Sequence, residues 1–231
     1  MSERKDEQTR SRLDKLQRIK ELGINPYPTR YQRSHTAQEA VAIFPEQGDT
    51  PEEVPQIRVA GRITAMRIMG KASFMDIRDG SGRIQIYFKK DTIGEERYSF
   101  LNDFDIGDFL GVEGTLFKTR TEEITVQVSD FTFLSKSLQP LPEKWHGLTD
   151  VEKRYRQLYL DLIANEEVRH IFRTRSRIIS SMRRFLEEQG FMEVETPVLQ
   201  PIAAGALAKP FATHHHALDR DLYLRIATEL H

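Results

Sequence analysis

Apolar residues recur with the spacing of one helix face most clearly between residues 166 and 190, and arginines fill the positions between them. The apolar positions are Val168, Ile171, Phe172, Ile178, Ile179, Met182, Phe185 and Leu186. Gly190 is expected to end this helix, and a short strand is expected before Pro197. So regular an apolar face needs a partner, which is either a sheet of the same chain or the same element of a second copy.

Between residues 57 and 134 the pattern changes to the alternation that is typical of strands. The expected strands cover residues 57–68, 73–78, 83–89, 108–118 and 123–134, with a helix at 95–104. The sequence Asp79-Gly80-Ser81-Gly82 predicts a hairpin turn. Five strands with a helix between the third and the fourth are the layout of an OB-fold barrel.

Strand alternation also assigns the side chains of this barrel to its two faces, because successive residues point to opposite sides. Ile84, Ile86 and Phe88 are expected in the interior, together with Met75 and Ile77. The residues between them are expected to point outward.

Two of the outward residues, Phe74 and Gln85, lie on the face that OB-folds use to bind oligonucleotides. An aromatic ring stacks on an unpaired base, and a glutamine reads a base edge by hydrogen bonds. Arg67 and Lys71, in or beside the loop between the first two strands, supply local charge for phosphates. Two structural alternatives stay open: Phe74 packs under a neighbouring domain, or a bulge reverses the alternation.

The first 22 residues are charged and favour a helix, and two interpretations of that helix stay open. It is either a solvated helix or a basic arm beside a phosphate backbone. The basic residues concerned are Arg10, Arg12, Lys15, Arg18 and Lys20. A short helix is expected at 36–44, capped by Ser34 or Thr36, and a linker at 46–55.

Residues 150–163 predict a further amphipathic helix. The residues of its packed side are Tyr155, Leu158, Tyr159 and Leu162. A loop of small residues at 203–206 is expected to precede two adjacent antiparallel strands at 209–213 and 222–225.

The run His214-His215-His216 suggests a metal site at first sight. Only alternate residues of a strand share a face, however, and no third ligand is close in the sequence. A strand end or a turn at the edge of a cleft is therefore the favoured interpretation.

Composition limits the classes of protein that fit. The 231 residues carry a formal net charge of −1, so any basic surface for nucleic acid must be local. The chain has no cysteine, which excludes disulfides and thiolate metal sites. No stretch has the pattern of a secretory signal or the roughly 20 apolar residues that span a bilayer. The expectation is an α+β protein of the cytoplasm without a membrane segment.

Six stretches taken together resemble one family, at residues 22–28, 67–74, 140–148, 154–161, 190–197 and 213–230. The chain resembles class II aminoacyl-tRNA synthetases of the subgroup that comprises the lysine, aspartate and asparagine enzymes, and in detail it looks like the lysine-specific members. The resemblance implies an N-terminal helical arm and linker (1–55), an OB-fold anticodon-binding domain (56–138) and a hinge with a helix (139–165). Residues 166–231 would be the start of an antiparallel α/β catalytic domain.

The activity that the resemblance implies is the ATP-dependent attachment of lysine to tRNA(Lys) by a homodimer. The site residues that it implies are Arg67, Phe74 and Gln85 for the anticodon, Gly205 and Glu229 for lysine, and Phe185, Gly190, Val194 and Pro197 for the dimer interface. ATP and Mg²⁺ would be held by motifs 2 and 3 of the family. Neither motif occurs in the chain, so no catalytic residue and no metal ligand is assigned.

Two departures from the family pattern stand out. A Pro-Gly-Gly-Ala loop is usual where this chain has Ala203-Ala204-Gly205-Ala206, and the sequence stops at His231, after the first of the three family motifs. The chain is therefore expected to be a fragment that is inactive alone. A non-catalytic tRNA-binding module is the alternative function, and an aspartate or asparagine ligase is a third, less favoured one.

Overall fold

The computed structural model describes residues 2–44, 56–142, 148–203, 205 and 207–228. The chain forms two compact units, Met1–Ala164 and Asn165–His231. Among the described residues, no helix has the length and apolar content that a bilayer crossing requires. The finer division into four parts stays a prediction.

The first unit contains all the strands of the predicted barrel. Its helices are α1 (Ser2–Glu21), α2 (Ala37–Ala42), α3 (Lys90–Ile93), α4 (Glu95–Phe100), α5 (Val151–Arg156) and α6 (Leu158–Ala164). Its strands are β1 (Gln56–Ile68), β2 (Ala72–Arg78), β3 (Arg83–Lys89), β4 (Phe109–Lys118) and β5 (Ile124–Ser135). Each strand end lies within one residue of its predicted position.

These five strands close into a barrel in the order β1-β2-β3-β5-β4, because β4 also pairs with β1. All neighbours are antiparallel except β3 and β5, which pair in parallel through three residue pairs. The predicted OB-fold is confirmed. The interior is also as predicted, since Met75, Ile77, Ile84, Ile86 and Phe88 are all at most 1% exposed.

The single helix predicted at 95–104 is wrong in its extent. Two short helices, α3 and α4, meet at Gly94, and a 3₁₀ turn, Leu101–Asp103, follows them. Gly94 has a φ of 85°, which interrupts helical geometry and which glycine adopts without strain. The helical content therefore starts earlier and changes type before β4.

α1 packs on the barrel through both apolar and basic residues. Leu16 and Ile19 are buried, and Arg12 is only 9% exposed. The Lys15 ammonium lies 2.8 Å from the Asp105 carboxylate, and the Arg18 guanidinium lies 2.6 Å from Asp103. The helix is thus not solvated on all sides, and three of the five basic residues proposed for a phosphate backbone bind the protein instead.

α2 begins with a capping box between Thr36 and Glu39. Of the two N-cap residues predicted for this helix, Thr36 is therefore the correct one and Ser34 is not.

The helix predicted at 150–163 is right in position but wrong as one continuous helix, because the chain breaks at Gln157 (φ −125°, ψ 58°) into α5 and α6. The break shifts the helical phase, so residues on either side no longer share one face. Tyr155 is 83% exposed and Tyr159 is 61% exposed, whereas Asp161 is buried and accepts a hydrogen bond from the Arg154 guanidinium at 3.0 Å.

The second unit consists of a long helix and a small sheet. Its elements are α7 (Glu166–Glu188), β6 (Leu199–Gln200), β7 (Ala212–His215) and β8 (Arg220–Leu224). The sheet order is β6-β8-β7, and both pairs are antiparallel. The predicted antiparallel pairing of two strands near residues 209–225 is confirmed. The first of them lies at Ala212–His215 instead of the predicted 209–213.

α7 ends where the sequence predicts. Gly190 has a φ of 85°, and the backbone N–H groups of Gly190 and Phe191 donate to the carbonyls of Glu187 and Leu186. This is the glycine-terminated helix end known as a Schellman motif. The strand predicted between Gly190 and Pro197 is wrong: residues 191–197 pair with no strand in the described part of the chain, and a strand exists only through its hydrogen-bonded neighbour.

Candidate nucleic-acid interface

The outer face of β2, β3 and β5 carries the residues predicted to contact nucleic acid. Register places Phe74 opposite Tyr87 and Asp76 opposite Gln85 across β2 and β3. The parallel pairing places Gln85 beside Thr125. Because these residues alternate with the residues that face the barrel interior, their side chains point away from that interior. We call this surface the β2-β3-β5 face.

Three aromatic rings lie in a row at one end of this face. The centroids of Phe74 and Tyr87 are 4.8 Å apart with their planes tilted by 37°, and those of Tyr87 and Phe117 are 5.8 Å apart, edge to face. Phe74 is half-buried, and its ring is held from the side by the ring of Tyr87 on the neighbouring strand. A base can stack on a ring held in this way without first ordering it, which reduces the entropic cost of binding.

Polar and charged groups fill the other end of the face. The Arg83 guanidinium bridges two carboxylates, with 3.0 Å to Asp76 and 2.5 Å to Glu123. Burial alone would lower the pKa of Arg83, but the two carboxylates outweigh it and raise the pKa. The Thr125 hydroxyl donates to the Gln85 side-chain oxygen at 2.9 Å. Hydrogen-bonding groups thus lie next to a stacking platform.

The loop between β1 and β2 borders the aromatic end. Arg67 is exposed and pairs in register with Phe74. The Tyr98 hydroxyl donates to the Met69 carbonyl at 2.6 Å and lies 2.5 Å from the Ser73 hydroxyl. Tyr98 is buried and belongs to α4, so its two contacts tie the loop and the start of β2 to that helix.

The structure brings Arg67, Phe74 and Gln85 together on neighbouring strands, and Phe74 and Gln85 share the face. Sequence reasoning missed Phe117 and Thr125 as parts of this surface. Both residues reach it because β5 pairs with β3 on one side and with β4 on the other. Local alternation carries no information about that pairing. Tyr87 points outward as predicted. Its position between Phe74 and Phe117, however, depends on how the strands pair, which the sequence of β3 does not show.

The predicted lysine-pocket residues lie in the second unit. Gly205 has a φ of 112°, and a Cβ at this position would lie 3.4 Å from the Cβ of Ala227. The loop and the segment after β8 therefore meet at Gly205. Glu229, Ala204 and Ala206 lie outside the described residues.

The predicted interface residues lie on an apolar surface that the described part of the second unit does not cover. Phe185 and Val194 are more than 60% exposed, and other apolar side chains of α7 are exposed with them. These are Ile171, Phe172, Ile178, Met182 and Leu186. Gly190 and Pro197 frame the extended segment that follows the helix, and Arg183 ties that segment to α7 through a 2.8 Å contact with Glu193.

The histidine run forms a strand end and a turn, as the favoured interpretation predicts. His214 lies 2.9 Å from Asp221 and 3.4 Å from Asp219, and His215 accepts a hydrogen bond from the backbone N–H of Leu218. His216 begins a 3₁₀ turn, His216–Leu218. Among the described residues no group of three or more histidine or carboxylate side chains is arranged to hold a metal ion.

Comparison with known families covers both units. The family described as tRNA synthetases class II (D, K and N) matches residues 150–231, and the OB-fold nucleic acid binding domain matches residues 57–134. The second match coincides with the barrel, and the first spans α5 to the end of the chain.

Individual relatives agree with these families. The chain is 56% identical over 223 residues to the lysine–tRNA ligase of Dehalococcoides mccartyi strain 195, which is 95% of this chain and 44% of that protein. It is 53% identical over 226 residues to the lysine–tRNA ligase of Pelotomaculum thermopropionicum, which is 98% of this chain and 44% of that protein. Its identity to the enzyme of Bacillus cereus is 49% over 222 residues.

The barrel, the long helix with its glycine end and the two matches therefore place the chain in the class II aminoacyl-tRNA synthetase family of aspartate, lysine and asparagine enzymes. Within that family the relatives compared are lysine–tRNA ligases. The chain spans about 44% of their length.

Proposed function

We propose that this chain carries the anticodon-binding part of a lysine–tRNA ligase and that its barrel binds the anticodon loop of tRNA(Lys). The observation that carries the proposal is that the half-buried ring of Phe74 and the side chain of Gln85 share the outer face of an OB barrel, two positions apart along its paired strands. Unpaired bases are recognised by stacking on aromatic rings and by hydrogen bonds to their edges, and this face offers both. Arg67 adds a positive charge next to the stacking platform.

The whole reaction that we propose for the ligase has two steps. Lysine and ATP give lysyl-adenylate and pyrophosphate, and the lysyl group then passes to the 3′ end of the tRNA with release of AMP. ATP and Mg²⁺ belong to this family in general. Among the residues that the structure describes, no group of three or more histidine or carboxylate side chains is arranged to hold a metal ion. We assign neither ATP nor Mg²⁺ to these residues, and no step of the reaction.

Lysine binding is proposed for the second unit, at Gly205 and Glu229. A substrate ammonium group is costly to desolvate unless a carboxylate pairs with it, and Glu229 would supply that carboxylate. Gly205 would let the backbone approach the substrate, since its φ of 112° is one that glycine adopts readily. Lysine-dependent exchange of pyrophosphate into ATP, by a protein of the relatives' full length that contains this chain, tests the activity. Exchange that depends on aspartate instead would contradict it.

Anticodon binding is tested directly with this chain and a fluorescent RNA stem–loop that carries a lysine anticodon. Phe74→Ala is expected to weaken binding by about 5- to 150-fold, because stacking on one aromatic ring contributes about 1–3 kcal/mol. Phe74→Tyr is the matched control, since it keeps the ring and should bind nearly as well. Unchanged affinity of Phe74→Ala would remove this residue from the site.

A homodimer is the second part of the proposal. The apolar face of α7 extends over six exposed side chains, and a large exposed apolar patch marks an interaction site. We assign its occupant as the same face of a second copy, with Phe185, Gly190, Val194 and Pro197 at the interface.

Sedimentation of this chain over a range of concentrations tests the dimer. Phe185→Glu is expected to shift the chain to monomer, because it places a charge in the apolar contact. Arg184→Glu is the control, since it changes charge on the opposite side of α7 and should leave the dimer intact. A chain that is monomeric at every concentration, or a dimer that Phe185→Glu does not weaken, contradicts the assignment.

A further inference from the structure

Thr125 is fully buried although it points outward from the barrel. Its strand neighbour Val126 is a core residue, so alternation places Thr125 on the opposite side. Its cross-strand partners are Gln85 on β3 and Phe117 on β4. Thr125 is therefore buried beneath the outward side chains of the β2-β3-β5 face and forms part of its floor.

The Thr125 hydroxyl holds one side of the Gln85 amide. It lies 2.9 Å from the Gln85 side-chain oxygen and 3.2 Å from the Glu123 carbonyl, and it has one proton to donate. The shorter contact is the one to Gln85. Because the side-chain oxygen of Gln85 accepts this hydrogen bond from Thr125, the NH₂ group of the same amide points away from Thr125.

We propose that Thr125 is a positioning residue for base recognition: its hydroxyl fixes the Gln85 amide so that the NH₂ group meets the base stacked on Phe74. This inference rests on the proposed binding of the anticodon. Thr125 touches no base itself and acts only through Gln85. The glutamine side chain can both donate and accept hydrogen bonds. With the Thr125 hydroxyl bound to its oxygen, Gln85 offers the base a donor.

An NH₂ group selects a base edge that carries a keto oxygen. Uracil presents its O4 oxygen where cytosine presents an amino group, and guanine presents O6 where adenine presents an amino group. A donor facing a second donor gains no hydrogen bond and leaves both groups poorly satisfied. Gln85 held in this orientation therefore favours uracil over cytosine at one position of the anticodon.

The probes are four stem–loop RNAs, one with uridine at all three anticodon positions and three in which a single uridine is replaced by cytidine. Binding of each to this chain is followed by fluorescence anisotropy at fixed salt. The chain is expected to lose about 5- to 150-fold in affinity for the replacement at the Gln85 position, which is the range for one well-placed base contact. That ratio of affinities is the measured quantity.

Thr125→Val keeps the shape of the side chain and removes the hydroxyl. The uracil-to-cytosine ratio at the Gln85 position is expected to fall to about twofold or less, because the amide can then rotate. The ratios at the other two positions are expected to stay unchanged. Thr125→Ser is the matched control, since it retains the hydroxyl and should retain the ratio. In a Gln85→Ala chain, Thr125→Val is expected to have no further effect on the ratio.

Gln85→Glu is an independent test that leaves the buried hydroxyl in place. A carboxylate only accepts hydrogen bonds, and cytosine offers its amino group to such an acceptor. The preference at this position is therefore expected to reverse, from uracil to cytosine. Because Gln85 lies on the surface, this variant tests the orientation even if Thr125→Val does not fold.

Each outcome decides one of the two proposals. If Thr125→Val weakens all four RNAs by the same factor and keeps the ratio, Thr125 only supports packing and the positioning role is wrong. A Gln85→Glu chain that still prefers uracil is equally against it. If the unaltered chain binds none of the RNAs, the proposed anticodon function fails and the inference falls with it. Loss of binding in Phe74→Ala alone would leave the function standing.

Discussion

Lys136 and Asp108 form an ion pair with 2.8 Å between Nζ and Oδ2, and neither side chain is exposed to solvent. The Lys136 ammonium also contacts the Asp105 carboxylate at 2.6 Å and the Asp103 carbonyl at 2.8 Å. The other oxygen of Asp108 accepts from the backbone N–H of Ser137 at 2.8 Å. The pair thus joins the end of β5 to the segment before β4, with its donors and acceptors satisfied.

Removing one partner of this pair should destabilise the barrel strongly. Lys136→Met leaves the Asp108 carboxylate buried without its counter-charge, and we expect a loss of about 3–5 kcal/mol in the free energy of unfolding. Urea titration followed by circular dichroism measures it. Lys118→Met is the control: Lys118 lies 3.7 Å from Glu122 in an exposed pair, so its removal should cost at most about 1 kcal/mol. Equal losses in the two variants would contradict the burial argument.

Asp79 should make the stability of the first unit depend on pH. Burial alone would raise the pKa of Asp79, but the Ser81 hydroxyl and the backbone N–H groups of Ala37, Ser81 and Gly82 outweigh it and lower the pKa. A carboxyl whose pKa is lower in the folded than in the unfolded state contributes its full stability above about pH 4. That contribution is lost as the pH falls through the folded-state pKa.

The variant Asp79→Asn isolates this contribution. It is expected to cost about 1–2 kcal/mol at pH 7, and the difference from the unaltered chain should shrink as the pH falls below about 4. Ser81→Ala keeps the carboxylate and removes one donor, so its effect should be smaller and in the same direction. A difference that is constant between pH 7 and pH 3 would show that charge has no part in the role of Asp79.

Arg12 should hold α1 on the barrel. Its guanidinium donates to the carbonyls of Ser137 at 2.8 Å and Ile106 at 3.0 Å. The ammonium group of a lysine cannot make both of these hydrogen bonds in the same plane. Arg12→Lys is therefore expected to speed hydrogen exchange of the α1 amides by about 5- to 150-fold, equivalent to about 1–3 kcal/mol, while the strands exchange as before. Arg10→Lys, at an exposed position of the same helix, should change nothing. Equal protection of α1 in both variants would contradict the role of Arg12.

Arg67 should contribute through charge rather than through base identity. Its side chain is exposed beside Phe74 and is free to meet a phosphate. Arg67→Ala is expected to weaken all four stem–loop RNAs by the same factor and to reduce the slope of log affinity against log salt by about 0.7–1. Arg120→Ala, at the exposed turn between β4 and β5, is the control and should leave the slope unchanged. Base-dependent weakening would assign Arg67 to base reading instead.

Local patterns were enough to predict the barrel strands and their faces, because period-two alternation is set within each strand. The same reasoning placed Phe74 and Gln85 outward. It failed at residues 150–163, since apolar spacing alone does not reveal the backbone break at Gln157. It also failed between Gly190 and Pro197, where a strand requires a partner that local sequence cannot supply.

The parts that escaped prediction depend on contacts between distant segments. The carbonyls that accept from Arg12 lie 94 to 127 residues further along the chain. The sequence of α1 alone therefore could not show whether its basic residues bind a phosphate backbone or the protein itself. Thr125 meets Gln85 across 40 residues through the parallel pairing of β3 and β5. A buried hydroxyl under a binding face has no signature in a strand that otherwise alternates normally.

The barrel closes along three rungs between β3 and β5, which join Gln85 to Thr125, Ile86 to Val126 and Tyr87 to Gln127. Two of the three rungs carry side chains of the β2-β3-β5 face. The contacts that close the barrel therefore also hold the β2-β3-β5 face together. If β3 and β5 separated, Tyr87 would move away from Phe117, and the Gln85 amide would lose its contact with Thr125. An RNA bound across β3 and β5 would in turn oppose their separation. Bound RNA would therefore increase the stability of the barrel by mass action.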